Sequence, residues 1–166
     1  MIAGPNSRKL LAAVGTDIPL DALDFPFMTF RDGKVAGVAS RVFRISFTGE
    51  LSYEINIAAD GARHVWEALV ECGDRFGLTP YGTEALHVLR AEKGFIIVGQ
   101  ETDGSVTPDD VGLGRMVSCR KDFLGKRSLR RDDLRRSDRK QLVGLQTDDP
   151  SQVLPEGGPV VDVPGG

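Results

Sequence analysis

The sequence is poor in the side chains that form disulfides and metal sites. Its 166 residues include two cysteines, Cys72 and Cys119, without CxxC spacing, and two histidines, His64 and His87. Two isolated thiols are typical of a protein from a reducing compartment and do not make a disulfide framework. Two histidines without a cysteine pair do not supply the ligands of a structural zinc site. We therefore expect free thiols, a cytoplasmic location and no metal.

The sequence also lacks a strong charge excess and a long apolar run. The net charge is -3, which does not favour nucleic acid or an anionic membrane as a partner. Apolar runs such as GFIIVG at 94–99 are too short to cross a bilayer, and no signal peptide is expected at the N-terminus. The composition, 40% hydrophobic and 27% charged, is typical of a soluble globular protein, and the length suits one compact domain or a domain plus a fragment of another.

Hydrophobic spacing predicts a short helix followed by a β-hairpin. The helix is predicted over 5–14, with Pro5 in the first turn and Gly15 at the end. The segment FMTFRDGKVAGV is predicted to form two strands joined at Asp32 and Gly33, because an Asp-Gly pair suits a type I′ turn.

Two more strands are predicted after the hairpin, in RVFRISF at 41–47 and YEINIA at 53–58. Because side chains alternate along a strand, Tyr53 is expected on the apolar face with the isoleucines that follow it. Glu54 and Asn56 are expected on the opposite, polar face.

Two helices complete the predicted domain. One is expected to begin at Asp60 as its cap and to end before Gly77; the other begins with Thr83 as its cap and stops at Gly94. Helices gathered on one face of an antiparallel sheet define an α+β fold of the ferredoxin-like type.

The C-terminal third has a different pattern. Turn residues dominate after Gly94, a helix is predicted from about Gly125, and KQLVGLQTDD alternates as a strand. We predict a boundary near 138, with an α+β domain at 1–138 and the start of a β-domain at 139–166. We expect the chain to be a fragment that is truncated at both ends.

The residues alone leave the functional interpretation open. Glu54 suits a water-facing carboxylate on a half-buried strand, and Arg90 suits an ion pair near a helix end. The basic run at 126–140 is interrupted by aspartates and has no interleaved aromatics, which favours a solvated segment. No glycine spacing predicts a phosphate-binding loop, and we assign no catalytic residue.

Four motifs carry a family resemblance. They occur in order along nearly the whole chain and are AGPNSRKLL, SFTGELSYEINI, ALHVLRAEKGFIIVGQETDGSVTPDDVGL and FLGKRSL. Together they resemble the glycine-cleavage T-protein family of tetrahydrofolate-dependent aminomethyltransferases. One segment has a more specific resemblance. It is TPYGTEALHVLRAEKGFIIVGQETDG, which is similar to the folate domain in the sarcosine oxidase α-subunit branch of that family.

The resemblance implies a folate-binding site with four candidate residues. Glu54 matches the family's glutamate, and one carboxylate can accept both the 2-amino group and the ring N–H of a pterin. Arg90 matches the family's helix arginine, which suits an anionic tail or the ring edge. Tyr81 is expected to stack at the rim of the site. Phe47 replaces the family's tyrosine, keeping stacking area but losing a hydroxyl.

The resemblance also implies what lies outside this chain. Phe47 and Val98 depart from the T-protein pattern and agree with the sarcosine oxidase branch. That branch implies an oxidoreductase assembled from α, β, γ and δ subunits, with FAD, FMN and NAD expected in the complex but not in this chain. The family's catalytic aspartate lies upstream, so the isolated chain is expected to be inactive. Two alternatives stay open: an assembly module without folate binding, and a glycine-cleavage aminomethyltransferase.

Overall fold

The computed structural model describes residues 1–161, and it separates into two compact units, Met1–Ile96 and Ile97–Gly166. In the described part of the chain, every strand and α-helix lies in the first unit. The strands are β1 (Ile2–Ala3), β2 (Phe30–Val35), β3 (Val38–Phe43) and β4 (Ser52–Ile57). The α-helices are α1 (Ser7–Val14), α2 (Ala62–Gly73) and α3 (Thr83–Glu92).

The sheet has four antiparallel strands in the order β1-β4-β3-β2. Its core combines strand residues with helix residues, because α1 packs against both β4 and α2. The buried apolar side chains are Ile2, Leu10, Leu11, Ile18, Phe25, Val35, Val42, Tyr53 and Val65. The predicted α+β class, an antiparallel sheet with helices packed on it, is confirmed. β1 was not predicted, since two residues are too few to show alternation.

The hairpin turn lies elsewhere than predicted. Asp32 and Gly33 lie inside β2, where Asp32 pairs across the sheet with Arg41. The turn is made by Ala36 and Gly37, whose φ angles of 50° and 79° give the two positive values of a type I′ turn. The prediction relied on Asp-Gly, which is commoner in such turns than Ala-Gly. The pairing register of β2 with β3 decides otherwise and places the turn between Val35 and Val38.

Gly33 has a packing role in place of the predicted turn role. A Cβ at this position would lie 2.5 Å from both Cγ1 of Ile18 and Oδ1 of Asp17. Ile18 is itself buried. Glycine therefore lets the 17–18 segment lie directly on β2.

The other predicted element ends are shifted in the structure. RVFRISF is strand only as far as Phe43. Asp60 and Thr83 do not cap their helices: a 3₁₀ turn precedes α2, and the N-cap residues are Gly61 and Gly82, without side-chain hydrogen bonds. Gly77 ends the second helical region as predicted, with φ 70°.

The described residues of the second unit, 97–161, form turns, loops and short 3₁₀ segments. The helix predicted from Gly125 is wrong, since the region forms only 3₁₀ turns at Ser128–Arg130 and Asp132–Leu134. Clustered arginines and aspartates lack the apolar stripe that would hold an α-helix against a core. KQLVGLQTDD forms no strand within the described residues. The boundary at 138 and the β-domain at 139–166 stay predictions, and residues 162–166 lie outside the described residues.

No helix in residues 1–161 is both long enough and apolar enough to span a bilayer.

Candidate functional site

Glu54 lies on β4 directly beside the core without being part of it. Its neighbour Tyr53 is fully buried and receives a hydrogen bond from Nε of Arg8 at 3.0 Å. Glu54 pairs with Phe43 across β3–β4 and is half-buried. The predicted alternation of faces is therefore present, and it fixes the Glu54 carboxylate on a rigid strand.

The Glu54 carboxylate has one hydrogen-bond partner among the described residues. Nδ2 of Asn56 donates to Oε1 at 3.1 Å, which leaves Oε2 available to a ligand. A pterin edge presents two adjacent N–H donors, and a carboxylate is the matching acceptor. The donor and acceptor chemistry at Glu54 thus fits tetrahydrofolate.

The loop before β4 is tied to the N-terminal segment. Oγ of Ser7 donates to the Leu51 carbonyl at 2.9 Å, and the Gly4 N–H donates to the same oxygen at 2.9 Å. Thr48 and Ser52, at the two ends of this loop, are buried. Both ends of the loop are therefore packed into the first unit, and its Leu51 carbonyl is held by the N-terminal segment.

The same loop meets the end of α3. Gly49 has φ 77°, and a Cβ there would lie 2.6 Å from Cγ of Lys93. Lys93 follows α3 directly as its C-cap. The two family motifs that contain Glu54 and Arg90 are thus in contact through the loop and the helix end.

Arg90 is 5% exposed on α3. Its Nη1 donates to the Phe95 carbonyl at 3.0 Å, and the Phe95 N–H donates to the Arg90 carbonyl at 2.9 Å. The side chain therefore closes the turn after α3, where Gly94 takes φ 69°. This structural role was not foreseen from the sequence.

Tyr81 lies at a cavity that neither Glu54 nor Arg90 lines. It is 41% exposed and lines this cavity of about 660 Å³, bounded by the start of the chain, the middle of α2 and residues 76–86. Partial burial, together with the nearby charge of Glu50, raises the pKa of Tyr81 above its ordinary value. Trp66, 58% exposed, lines the same cavity.

The structure does not bring the four candidates into one cavity. Glu54, Arg90 and Phe47 do not line the cavity that contains Tyr81. Phe47 is half-buried in the segment after β3. The sequence analysis identified neither Glu50 beside Tyr81 nor Trp66 at this cavity. Glu50 lies inside the SFTGELSYEINI motif, which was the available signal.

Residues 1–121 match the family described as GCVT N-terminal domain. The chain belongs to the GCVT family. The family predicted from the four motifs is therefore confirmed.

Relatives of two kinds resemble this GCVT chain. Sarcosine oxidase subunit alpha of Corynebacterium sp. (strain U-96) is 49% identical over 161 residues, 96% of this chain and 17% of that relative. The subunit of the same name from Rhizobium meliloti (strain 1021) is 42% identical over 94% of this chain and 16% of its own length. The aminomethyltransferase of Halothermothrix orenii is 40% identical over 77% of this chain and 35% of its own length.

This GCVT chain therefore spans less than a fifth of the length of the sarcosine oxidase subunits that it matches. It spans about a third of the aminomethyltransferase.

Proposed function

We propose that the chain is the tetrahydrofolate-binding part of a sarcosine oxidase α subunit. In this proposal the whole enzyme oxidises sarcosine, and the folate domain captures the resulting one-carbon iminium as 5,10-methylenetetrahydrofolate. The observation that carries the proposal is Glu54, a half-buried carboxylate on a rigid strand with one oxygen available among the described residues. The 49% identity to a sarcosine oxidase α subunit favours this branch of the family.

Tetrahydrofolate supplies the nucleophilic nitrogen for this capture. The work of the chain is then to bind and orient it, because holding two reactants in place removes much of the entropic barrier. Glu54 accepts hydrogen bonds from the pterin edge, and Asn56 fixes the direction of the carboxylate. Arg90 orients the site from α3 by holding the turn at Phe95. Phe47 offers an aromatic ring for stacking. Tyr81 remains our candidate for stacking at the rim of the folate site.

The remaining parts of the reaction are assigned outside this chain. We place the proton-handling group, the FAD, FMN and NAD of the complex, and the β, γ and δ subunits in the rest of the enzyme. The cytoplasmic location also stays a prediction, based on the two unpaired thiols Cys72 and Cys119.

A second candidate is an assembly module that docks subunits and does not bind folate. The exposed Trp66 at the large cavity favours it, since exposed aromatic side chains are common at interfaces. A glycine-cleavage aminomethyltransferase is the third candidate, supported by the 40% identical relative and opposed by Phe47 and Val98.

Calorimetric titration of 5-formyltetrahydrofolate into the chain tests the proposal. Glu54→Ala is expected to weaken binding by roughly 2–5 kcal/mol, because it removes one partner of a charge-assisted pair. Glu54→Gln keeps the shape and should lose most of the same affinity. Glu71→Ala, which removes an exposed carboxylate on α2, is the matched control and should bind like the parent chain.

Binding by the parent chain that is unchanged in Glu54→Ala would contradict the site. If the parent chain itself does not bind, the same variants are made in the longer subunit that contains it. Folate binding there that depends on Glu54 supports the proposal. No binding there favours the assembly module.

A further inference from the structure

Positive charge is concentrated in one block of the second unit. Residues 115–140, the basic block, contain eleven Lys and Arg against four Asp, a net charge of +7 in a chain whose total is -3. All other residues together therefore carry -10. Such segregation of charge creates a local positive potential that a net-charge count conceals.

Most of this charge is not neutralised within the described residues 1–161. Three of the aspartates are paired locally, Asp122 with Lys126, Asp133 with Arg131 and Asp138 with Arg136. Seven exposed basic side chains make no hydrogen bond or ion pair with any described residue. They are Arg115, Arg120, Lys121, Arg127, Arg130, Arg135 and Lys140.

An apolar pocket lies at the start of the same block and is shared with the residues just before it. It encloses about 400 Å³ and is lined chiefly by Pro108, Leu113, Met116, Val117, Phe123 and Leu129. Met116 is 77% exposed, so the pocket has an apolar mouth that is open to solvent. Lys121 also lines the pocket, and free arginines adjoin its lining residues in sequence, Arg115 beside Met116 and Arg130 beside Leu129.

An apolar centre with a charged rim is the usual composition of a protein–protein interface, where Met and Arg are enriched. Basic side chains outnumber acidic ones in this block, and the exposed Asp122 beside the pocket is already paired with Lys126, so the matching partner is acidic. We propose that this surface docks an acidic protein segment of a partner, which places an apolar side chain in the pocket and its carboxylates on the rim arginines. This inference does not depend on folate binding.

The chemistry favours a protein over nucleic acid. The pocket is small and apolar and offers one aromatic ring, Phe123, for stacking, whereas single-stranded nucleic acid is bound on successive aromatic platforms. Asp132, Asp133 and Asp138 also interrupt the basic block, so its cations do not form the continuous stripe that a phosphate backbone follows.

Fluorescence anisotropy with defined probes tests the proposal on the full 166-residue chain. The main probe is a labelled peptide with two leucines flanked by glutamates; its control has alanines for the leucines. A single-stranded DNA oligonucleotide and phosphatidylserine vesicles serve as polyanion probes. The leucine peptide should bind more tightly than the other three.

Variants then locate the binding. Arg127→Glu with Arg130→Glu is expected to weaken binding of the leucine peptide by about tenfold or more, because both are exposed charges of the basic block without an ion-pair partner among the described residues. Met116→Ser should remove the preference for leucine over alanine. Lys9→Glu with Lys34→Glu makes the same change of net charge at exposed residues of the first unit and should have less than about a twofold effect.

Equal binding of the leucine and alanine peptides would overturn the proposal, because charge alone would then explain it. Tighter binding of the DNA or the vesicles would also overturn it. Sedimentation showing a dimer that Arg127→Glu with Arg130→Glu dissociates would overturn it in favour of a second copy as the occupant. As a control, each variant should unfold at the same temperature as the parent chain. Its effect on the peptide then reports on binding and not on folding.

Discussion

Arg139 donates from Nε to both carboxylate oxygens of Asp110, at 3.0 Å to Oδ1 and 3.2 Å to Oδ2. Asp110 is almost completely buried, and its Oδ2 also accepts the Thr107 N–H at 2.8 Å. Nε2 of Gln141 lies 3.3 Å from Oδ1. The bonds from Arg139 and Gln141 join residues 29 and 31 positions apart, so they link distant parts of the second unit, whose described residues otherwise form turns.

The Asp110 cluster predicts acid sensitivity. Its hydrogen bonds to the Arg139 guanidinium, and then to Thr107, hold the pKa of Asp110 far below its ordinary value. A carboxyl with a depressed folded-state pKa stabilises the fold fully above its unfolded pKa of about 3.9, and that stability is lost as the pH falls toward the folded pKa. Asp110→Asn should therefore unfold at a lower temperature at pH 7 and should lose less stability than the parent chain between pH 5 and 3.

Thermal unfolding from pH 7 to 3, followed by circular dichroism, measures this difference. Asp122→Asn is the matched control, because Asp122 is fully exposed and pairs only with Lys126. An equal pH dependence in the parent chain and Asp110→Asn would contradict the prediction.

Adjacent residues on β4 predict opposite mutational outcomes. Tyr53→Ala should destabilise the chain by about 3–5 kcal/mol, since it empties a fully buried site. Tyr53→Phe should cost about 1 kcal/mol through the lost hydrogen bond from Arg8. Glu54→Ala should change stability little, because the side chain is only half-buried and its carboxylate hydrogen-bonds only with Asn56 among the described residues. Urea unfolding compares the three variants, and a Glu54→Ala cost as large as that of Tyr53→Ala would place Glu54 in the core.

Gly33 should be sensitive to the addition of a single methyl group. Gly33→Ala is expected to destabilise the first unit by about 1–3 kcal/mol, because the new Cβ overlaps the buried Ile18. Gly104→Ala is the control, since no atom lies within 4 Å of its would-be Cβ. Equal unfolding midpoints in urea for the two variants would show that β2 and Ile18 do not pack as described.

The turn at Ala36 and Gly37 makes a further prediction. Gly37→Ala should cost about 1–2 kcal/mol, since it forces an L-residue to φ 79°. Ala36→Asn should be neutral or stabilising, because asparagine tolerates the left-handed region better than alanine. Asp32→Ala, at the turn predicted from the sequence, serves as the comparison. If Asp32→Ala lowered the free energy of unfolding more than Gly37→Ala, the result would favour a turn at Asp32 and Gly33 instead.

The family, the fold class and the position of Glu54 followed from the sequence for local reasons. Alternation along YEINIA is a property of strand geometry, so Tyr53 and Glu54 had to point to opposite faces whatever lay around them. Glycine with positive φ ended the helical regions at Gly77 and Gly94 for an equally local reason. The motif order was sufficient to identify the GCVT family.

Tertiary contacts decided the rest. Asp32 and Gly33 are a good turn pair by themselves, yet the register of β2 on β3 and the packing of Ile18 place them within a strand. The role of Arg90 at Phe95 and the separation of Tyr81 from Glu54 depend on how the segments after α2 and α3 fold back, which no spacing encodes. The sequence by itself determined which residues face which way along each element. Only the folded chain decided which of them meet, because contacts between distant segments depend on packing and not on local propensity.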